Sequence, residues 1–149
     1  MIKKLNCLVI LLASLCLTTV VQAQNLAAGT PANIDLISAQ ELKAKVDRNE
    51  PLVILDVRSS ESYANSDRRI KGAIYVKVRR LEHRLNFPPL KDVPRDREII
   101  TYCACPSEEA SIAAAQILLN NGFKRVRVLK GGWQDWLKIN GAVEPRPKG

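Results

Sequence analysis

The run Leu52-Val53-Ile54-Leu55-Asp56-Val57 follows Pro51 with aliphatic side chains at every position but Asp56. A strand with one wet face alternates polar and apolar residues. An unbroken aliphatic run of strand length suits a strand covered on both faces, as in a parallel sheet. This segment therefore demands helices above and below it, and the rest of the chain supplies them. Ser38-Ala39-Gln40-Glu41 forms a capping box, with the Ser38 hydroxyl accepting from the first turn and Glu41 reaching back. Leu42 and Val46 follow on one face, which predicts a helix to about Arg48, closed by Asn49-Glu50-Pro51. Val78, Leu81 and Leu85 make a second helical stripe with Arg79, Arg80 and Arg84 on other faces, and Pro88-Pro89 stops it. The Ala-rich stretch from Glu108 to Leu119 is strongly helical, and Asn121-Gly122 supplies a left-handed cap. A short helix carrying Trp133, Trp136 and Leu137 follows Gly131-Gly132.

Further strand-like runs lie between these helices. They are Ile70 to Val76 with a turn at Gly72, Glu98 to Cys103, and Val126 to Leu129. Strands alternating with helices predict an α/β fold around a mainly parallel sheet. No internal repeat and no second domain is visible. Glu144 to Gly149 carries two prolines and reads as an unstructured tail, and 24–34 reads as a flexible leader before a domain over 35–143.

The first 23 residues read as an address. Met1-Ile2-Lys3-Lys4 is basic, Leu5 to Val21 is almost entirely apolar, and Val21-Gln22-Ala23 places short residues where a signal peptidase reads. Cleavage after Ala23 predicts an exported, periplasmic chain with no membrane contact. An uncleaved anchor is the competing reading, because the apolar run approaches spanning length. Lipid attachment at Cys16 is disfavoured by the large Leu15 before it. Cleavage reduces 149 residues to 126, removes Lys3 and Lys4 so that the net charge falls from +8 to +6, and leaves two of the four cysteines, Cys103 and Cys105. A chain of that length buries roughly two-thirds of its unfolded surface and needs no disulfide framework. With a single histidine, His83, a two-His zinc motif is excluded, and two thiols and one distant imidazole are too few for a zinc site.

The two cysteines are therefore candidates for chemistry. In parallel sheets ligands bind beyond the carboxyl ends of the strands. Cys103-Ala104-Cys105-Pro106-Ser107-Glu108-Glu109 leads from such an end directly into a helix. Unpaired N–H groups and the helix dipole at that junction favour a thiolate or a bound anion. A buried structural thiol and a labile Cys103–Cys105 disulfide are the competing readings.

The ordered pieces Leu55-Asp56-Val57-Arg58, Ile70-Lys71-Gly72-Ala73-Ile74, Ile99 to Cys103, Gly122-Phe123 and the Leu-Lys-Gly-Gly-Trp core within Val126 to Trp136 resemble a single-domain rhodanese, the sulfurtransferase family, over roughly Asp35 to Val143. The resemblance implies a mostly parallel, about five-stranded sheet with helices on both faces. It implies a cysteine that accepts sulfane sulfur as a persulfide and passes it on, with no metal or organic cofactor. The partners it implies are a small-molecule or protein persulfide donor and a thiol acceptor.

Two countings disagree on the carrier. From the strand, Tyr102-Cys103 matches the family's strand-end nucleophile. From the helix, Ser111 stands six positions after Cys105, the usual loop length. Cys103 is the favoured nucleophile, because Pro106 would cost a Cys105 loop one N–H donor. Cys105 is the alternative nucleophile or a resolving thiol. The active-site loop, Ala104, Ser107, Glu108, Glu109 and Ala110, departs from the family pattern of a Gly followed by an Arg. Its two carboxylates argue against free thiosulfate and for a persulfide donor. Asp56 and Arg58 are expected as a buried supporting pair, and Arg69 stands where the family often has His. Trp133 and Trp136 are read as packing residues. His83 and the cations Arg79, Arg80, Arg84, Lys124, Arg125 and Arg127 are read as solvated surface, without a nucleic-acid partner. A thiol/disulfide redox protein using Cys103-Ala104-Cys105 and a catalytically silent rhodanese-like binding module remain the rival readings, and the oligomeric state stays open.

Overall fold

A computed structural model describes residues 33–147. The signal-like segment 1–23 and most of the expected leader lie outside the described residues. The elements run β1 (Asp35–Ile37), α1 (Ala39–Asp47), β2 (Leu52–Asp56), α2 (Ser60–Ala64), β3 (Arg68–Ile70), β4 (Ile74–Tyr75), α3 (Val78–Arg84), β5 (Glu98–Tyr102), α4 (Glu109–Asn120), β6 (Arg125–Leu129), α5 (Gly132–Lys138) and β7 (Val143–Pro145). Five strands form one sheet in the order β1-β6-β5-β2-β4, every neighbour parallel. The expected α/β fold with helices on both faces is what the chain adopts. No helix among the described residues is long and apolar enough to cross a membrane.

The central strands divide their side chains between two cores. Leu55, Ile99 and Val128 join Leu81, Leu85, Ala114 and Leu118 on the α3/α4 face. Ile54, Ile100, Tyr102 and Leu129 join Leu42, Trp133 and Trp136 on the α1/α5 face. Period-two alternation along β5 thus sends Cys103 toward α4 and Tyr102 toward α5. The two tryptophans pack as expected, and the Trp136 indole N–H donates to the Ala142 carbonyl at 3.1 Å.

Several local expectations change. The Ser38 hydroxyl caps α1 by accepting from the Glu41 N–H at 3.1 Å. Glu41 does not complete the box. Its carboxylate turns to Arg127, which donates through Nη1 at 2.6 Å and Nη2 at 3.1 Å and holds the Glu41 carboxyl below its ordinary pKa. A bidentate guanidinium outcompetes one backbone N–H for a carboxylate. Arg127 is therefore not free solvated surface, and Arg125 and Lys45 also reach the buried Glu98, at 3.3 and 3.1 Å. The run Ile70 to Val76 splits at Gly72, whose φ of +75° turns the chain out of one sheet and into another. The upstream part, β3, pairs antiparallel with β7, in the register Arg68↔Pro145, Arg69↔Glu144 and Ile70↔Val143. Glu144 and Pro145 are thus ordered rather than part of a loose tail, held by the ladder and by an Arg69–Glu144 ion pair at 2.7 Å. At the other end Ile34, assigned to the leader, packs against the α3/α4 core. β1 is only three residues long and carries no periodic signal of its own; its partner β6 supplies the ladder.

Candidate active site

The connections from β2 and β5 leave the sheet in opposite directions, toward β4 and toward β6, although the two strands are neighbours. Such a switch point opens a crevice beyond the carboxyl ends of both strands. Asp56 and Tyr102 sit opposite each other at those ends, and the Val57 N–H donates to the Tyr102 carbonyl at 2.9 Å. Cys103 is the next residue.

Cys103 and Cys105 are joined as a disulfide, with their Cα atoms 5.7 Å apart. Cys103 is 1% exposed, and Cys105 is partly exposed. Both face a pocket of about 290 Å³. Ser59 and Ser62 at the start of α2 form one wall, and Glu109 and Ala110 in the first turn of α4 form another. The N–H groups of that first turn lack an i−4 carbonyl, so they favour negative charge at the cysteines. An adjoining hollow of about 280 Å³ shares Ser59 and Ala110 with this pocket and is lined by Lys77 and Arg79. A larger hollow of about 460 Å³ lies beside β3 and β7, but it mixes Asp67 and Glu144 with Arg68 and Arg146 and offers no nucleophile.

The two loop glutamates have different surroundings. Glu108 caps α4 with φ at +51°, a left-handed conformation that costs a non-glycine residue about 1 kcal/mol. Its carboxylate accepts from the Gly131 N–H at 2.8 Å, which ties the loop to the start of α5. Only Glu109 lines the pocket. Ser107 is exposed and does not line it. Ala104, Cys103, Cys105, Glu109 and Ala110 are brought together as the sequence implies.

Behind the loop lies a buried polar cluster. Arg58 donates to Asp56 through Nη2 at 2.7 Å and Nε at 3.0 Å, and both side chains are fully buried. Tyr102 donates its hydroxyl proton to Asp56 Oδ2 at 2.6 Å and accepts from the Ile70 N–H at 3.3 Å. Burial and the adjoining Asp56 carboxylate push the Tyr102 phenol well above its ordinary pKa, so it stays a donor. Burial works against the Arg58 charge, but the Asp56 carboxylate more than offsets this and holds the guanidinium above its ordinary value. The guanidinium carbon stands 4.5 Å from the Trp133 ring centroid. Trp133 in turn donates its backbone N–H to the Cys103 carbonyl at 2.8 Å. The Asp56–Arg58 pair is thus buried, and Trp133 bridges it to the Cys103 backbone.

A family model for the Rhodanese-like domain matches residues 38–139. The chain belongs to the rhodanese-like family. The rhodanese-like chain is 30% identical over 103 residues to the thiosulfate sulfurtransferase GlpE of Coxiella burnetii, covering 69% of this chain and 84% of that protein. It is 34% identical over 105 residues to YrkF of Bacillus subtilis, a protein provisionally named a sulfur carrier; that match covers 70% of this chain but 52% of YrkF. The solution structure of the rhodanese-like domain of Alr3790 from Anabaena superposes with a TM-score of 0.61 at 29% identity, covering 76% of this chain and 85% of the other. Relatives of this rhodanese-like domain are sulfurtransferases by name, which supports sulfur transfer at the level of the family.

Some site residues carry little sequence signal. Ser59 and Ser62 look like loop serines, yet the Ser59 hydroxyl caps α2 by accepting from the Ser62 N–H at 3.0 Å. A five-residue helix has no periodicity to announce it. Arg79 is read as surface from the sequence and Lys77 carries no signal of its own, yet both, at the start of α3, line the hollow that adjoins the cysteine pocket. Tyr102 is legible as a strand residue, but its bond to Asp56 spans 46 positions. His83 is exposed beside Phe87, as expected.

Proposed function

We propose that this chain is an exported sulfurtransferase that carries sulfane sulfur as a persulfide on Cys103 and passes it to a thiol acceptor. The observation that carries this reading is the placement of Cys103 at the sheet's switch point, facing a pocket whose far wall is the first turn of α4. The Cys103 thiolate attacks the outer sulfur of a donor, the new S–S bond forms, and the donor's leaving group departs with the old bonding pair. An acceptor thiolate then attacks that outer sulfur and Cys103 leaves as thiolate. Two displacements at sulfur replace one difficult transfer and call for no metal or organic cofactor. The unpaired N–H groups of α4 stabilise the negative charge at each stage. Export rests on the basic start, apolar run and short residues of positions 1–23.

The reduced chain, quenched rapidly after mixing with a sulfane donor, is expected to show a species heavier by the mass of one sulfur atom. Cys103→Ser is expected to lose that gain and to lower the transfer rate by at least about a thousandfold, while Cys105→Ser keeps it. The reverse pattern moves the carrier to Cys105. No gain in either variant or in the parent chain defeats the reading.

The pocket also bears on the donor. Glu109 faces the cysteines and Glu108 is held on Gly131, so one carboxylate rather than two opposes an incoming dianion. Glu109→Gln is expected to raise kcat/KM for thiosulfate about three- to tenfold at low salt and less at high salt. Glu108→Gln leaves that ratio near one. Equal effects of the two would show that pocket charge does not select the donor.

A second reading is favoured by the Cys103–Cys105 disulfide itself: a protein that exchanges thiols and disulfides without carrying sulfur. Free-thiol titration with and without reductant separates the two. If both thiols stay free under oxidising conditions, the second reading falls.

A further inference from the structure

The geometry points to a further activity of the same site: Cys105 discharges the persulfide of Cys103 within the chain, so that the protein reduces sulfane sulfur to hydrosulfide. The inference rests on the proposed carrier role of Cys103 and adds a second fate for its sulfur. Three observations on the loop support it. The two sulfurs are close enough to bond, across Cα atoms 5.7 Å apart, within the span of roughly 4.4–6.8 Å that a disulfide accepts. Cys103 is nearly fully buried whereas Cys105 is partly exposed, so the two thiols occupy the floor and the rim of one pocket. Glu108, bonded to the Gly131 N–H, anchors the downstream end of the loop that carries both.

The step balances without an outside oxidant. The Cys105 sulfur attacks Sγ of Cys103, the inner sulfur of the persulfide. The Cys103–Cys105 disulfide forms and the bond to the outer sulfur breaks. The outer sulfur leaves with the bonding pair and takes up the Cys105 thiol proton as hydrosulfide. The sulfane sulfur gains two electrons, and the two cysteines lose them. Reopening the disulfide takes two equivalents of a thiol reductant, or one dithiol, by ordinary exchange through a mixed disulfide. Until that happens no thiolate is available to accept sulfur, so reductant supply sets the turnover. External transfer and internal discharge then compete for the same persulfide, and acceptor concentration decides between them.

The test uses the reduced chain under anaerobic conditions with one equivalent of benzenethiosulfonate. Its by-product is a sulfinate, so any hydrosulfide arises from discharge. The parent chain is expected to release one hydrosulfide per chain without added thiol and to end lighter than its reduced form by two hydrogens, with the sulfur-bearing species as a transient under rapid quench. Cys105→Ser is expected to hold the added sulfur and to release less than a tenth as much hydrosulfide until dithiothreitol is added. Retention of the sulfur by the parent chain, with no hydrosulfide, overturns the inference and leaves the carrier reading standing. Release from Cys105→Ser at the parent rate overturns it equally. A Cys105→Ser variant that never takes up sulfur, beside a Cys103→Ser variant that does, overturns both the carrier assignment and the direction of discharge proposed here.

Discussion

Replacing Arg58 with Met is expected to destabilise the domain by about 3–5 kcal/mol, the usual cost of leaving one partner of a buried ion pair unpaired. For a chain of this size that corresponds to a fall in Tm of roughly 10–20 °C. Asp56 has no route to water at its site. It accepts from Arg58 through three donors and from Tyr102 through a fourth. Without the guanidinium its charge is opposed only by the Tyr102 hydroxyl and one backbone N–H. The loss extends beyond the pair, because Arg58 also donates to the Arg68 carbonyl at 3.1 Å and packs on Trp133. The double variant Asp56→Asn with Arg58→Met removes both charges and is expected to recover much of the loss. Urea unfolding of the four species in a double-mutant cycle checks both statements. A cost for Arg58→Met below about 1 kcal/mol would mean that the pair does not hold the loop's support together.

Gly132→Ala is the second large effect. Gly132 has φ at +49° and opens α5 directly against the site, and a Cβ there would overlap the Cys103 carbonyl oxygen. That oxygen is backbone, already accepting from the Trp133 N–H, and it cannot swing away as a flexible side chain would. Either α5 retreats from β5 or the Cys103 peptide rotates, and each breaks the Trp133 bond. The expected cost is about 3 kcal/mol or more from overlap and left-handed strain together. Alkylation of the reduced thiols is expected to change with it, because the strand end that aims Cys103 moves. Urea unfolding and the pH dependence of iodoacetamide labelling read the two consequences separately. Gly122→Ala is the control. Its φ is +85°, but a Cβ there meets open space, so it carries the left-handed strain without the overlap and leaves labelling unchanged.

The parts legible in the sequence are those whose information is local. The run Leu52 to Val57 and the run Glu98 to Cys103 announce buried parallel strands because an apolar stretch without alternation has few other homes. The helices α1, α3 and α4 announce themselves by stripe and by terminal signals: the Ser38 cap, Pro88-Pro89 and Asn121-Gly122. The position of both cysteines in one loop follows from the same reading, since a strand that ends where a helix begins leaves only a loop between. What stays illegible is information shared between distant residues. Val143 to Pro145 has no strand signature, and it becomes β7 because Arg68 to Ile70 offers an unpaired edge and Arg69 a partner for Glu144. β1 is likewise made by β6.

The site divides along the same line. By itself the sequence determined that two thiols stand where a buried strand meets a helix N-terminus, that Asp56 and Arg58 stand at the end of another strand run, and that Glu108 and Glu109 follow the cysteines into the helix. Only the tertiary structure decided that Glu108 is spent on Gly131 while Glu109 faces the pocket, that Ser59 and Ser62 line the pocket of the cysteines with Lys77 and Arg79 in the hollow beside it, and that Trp133 links the Asp56–Arg58 pair to the Cys103 backbone. The physical reason is reach. Chain order and period-two or 3.6-residue spacing set which face a side chain takes within its own element. Which charge it meets depends on how separate elements pack, and that is decided by where the apolar faces of α1, α3, α4 and α5 come to rest on the sheet.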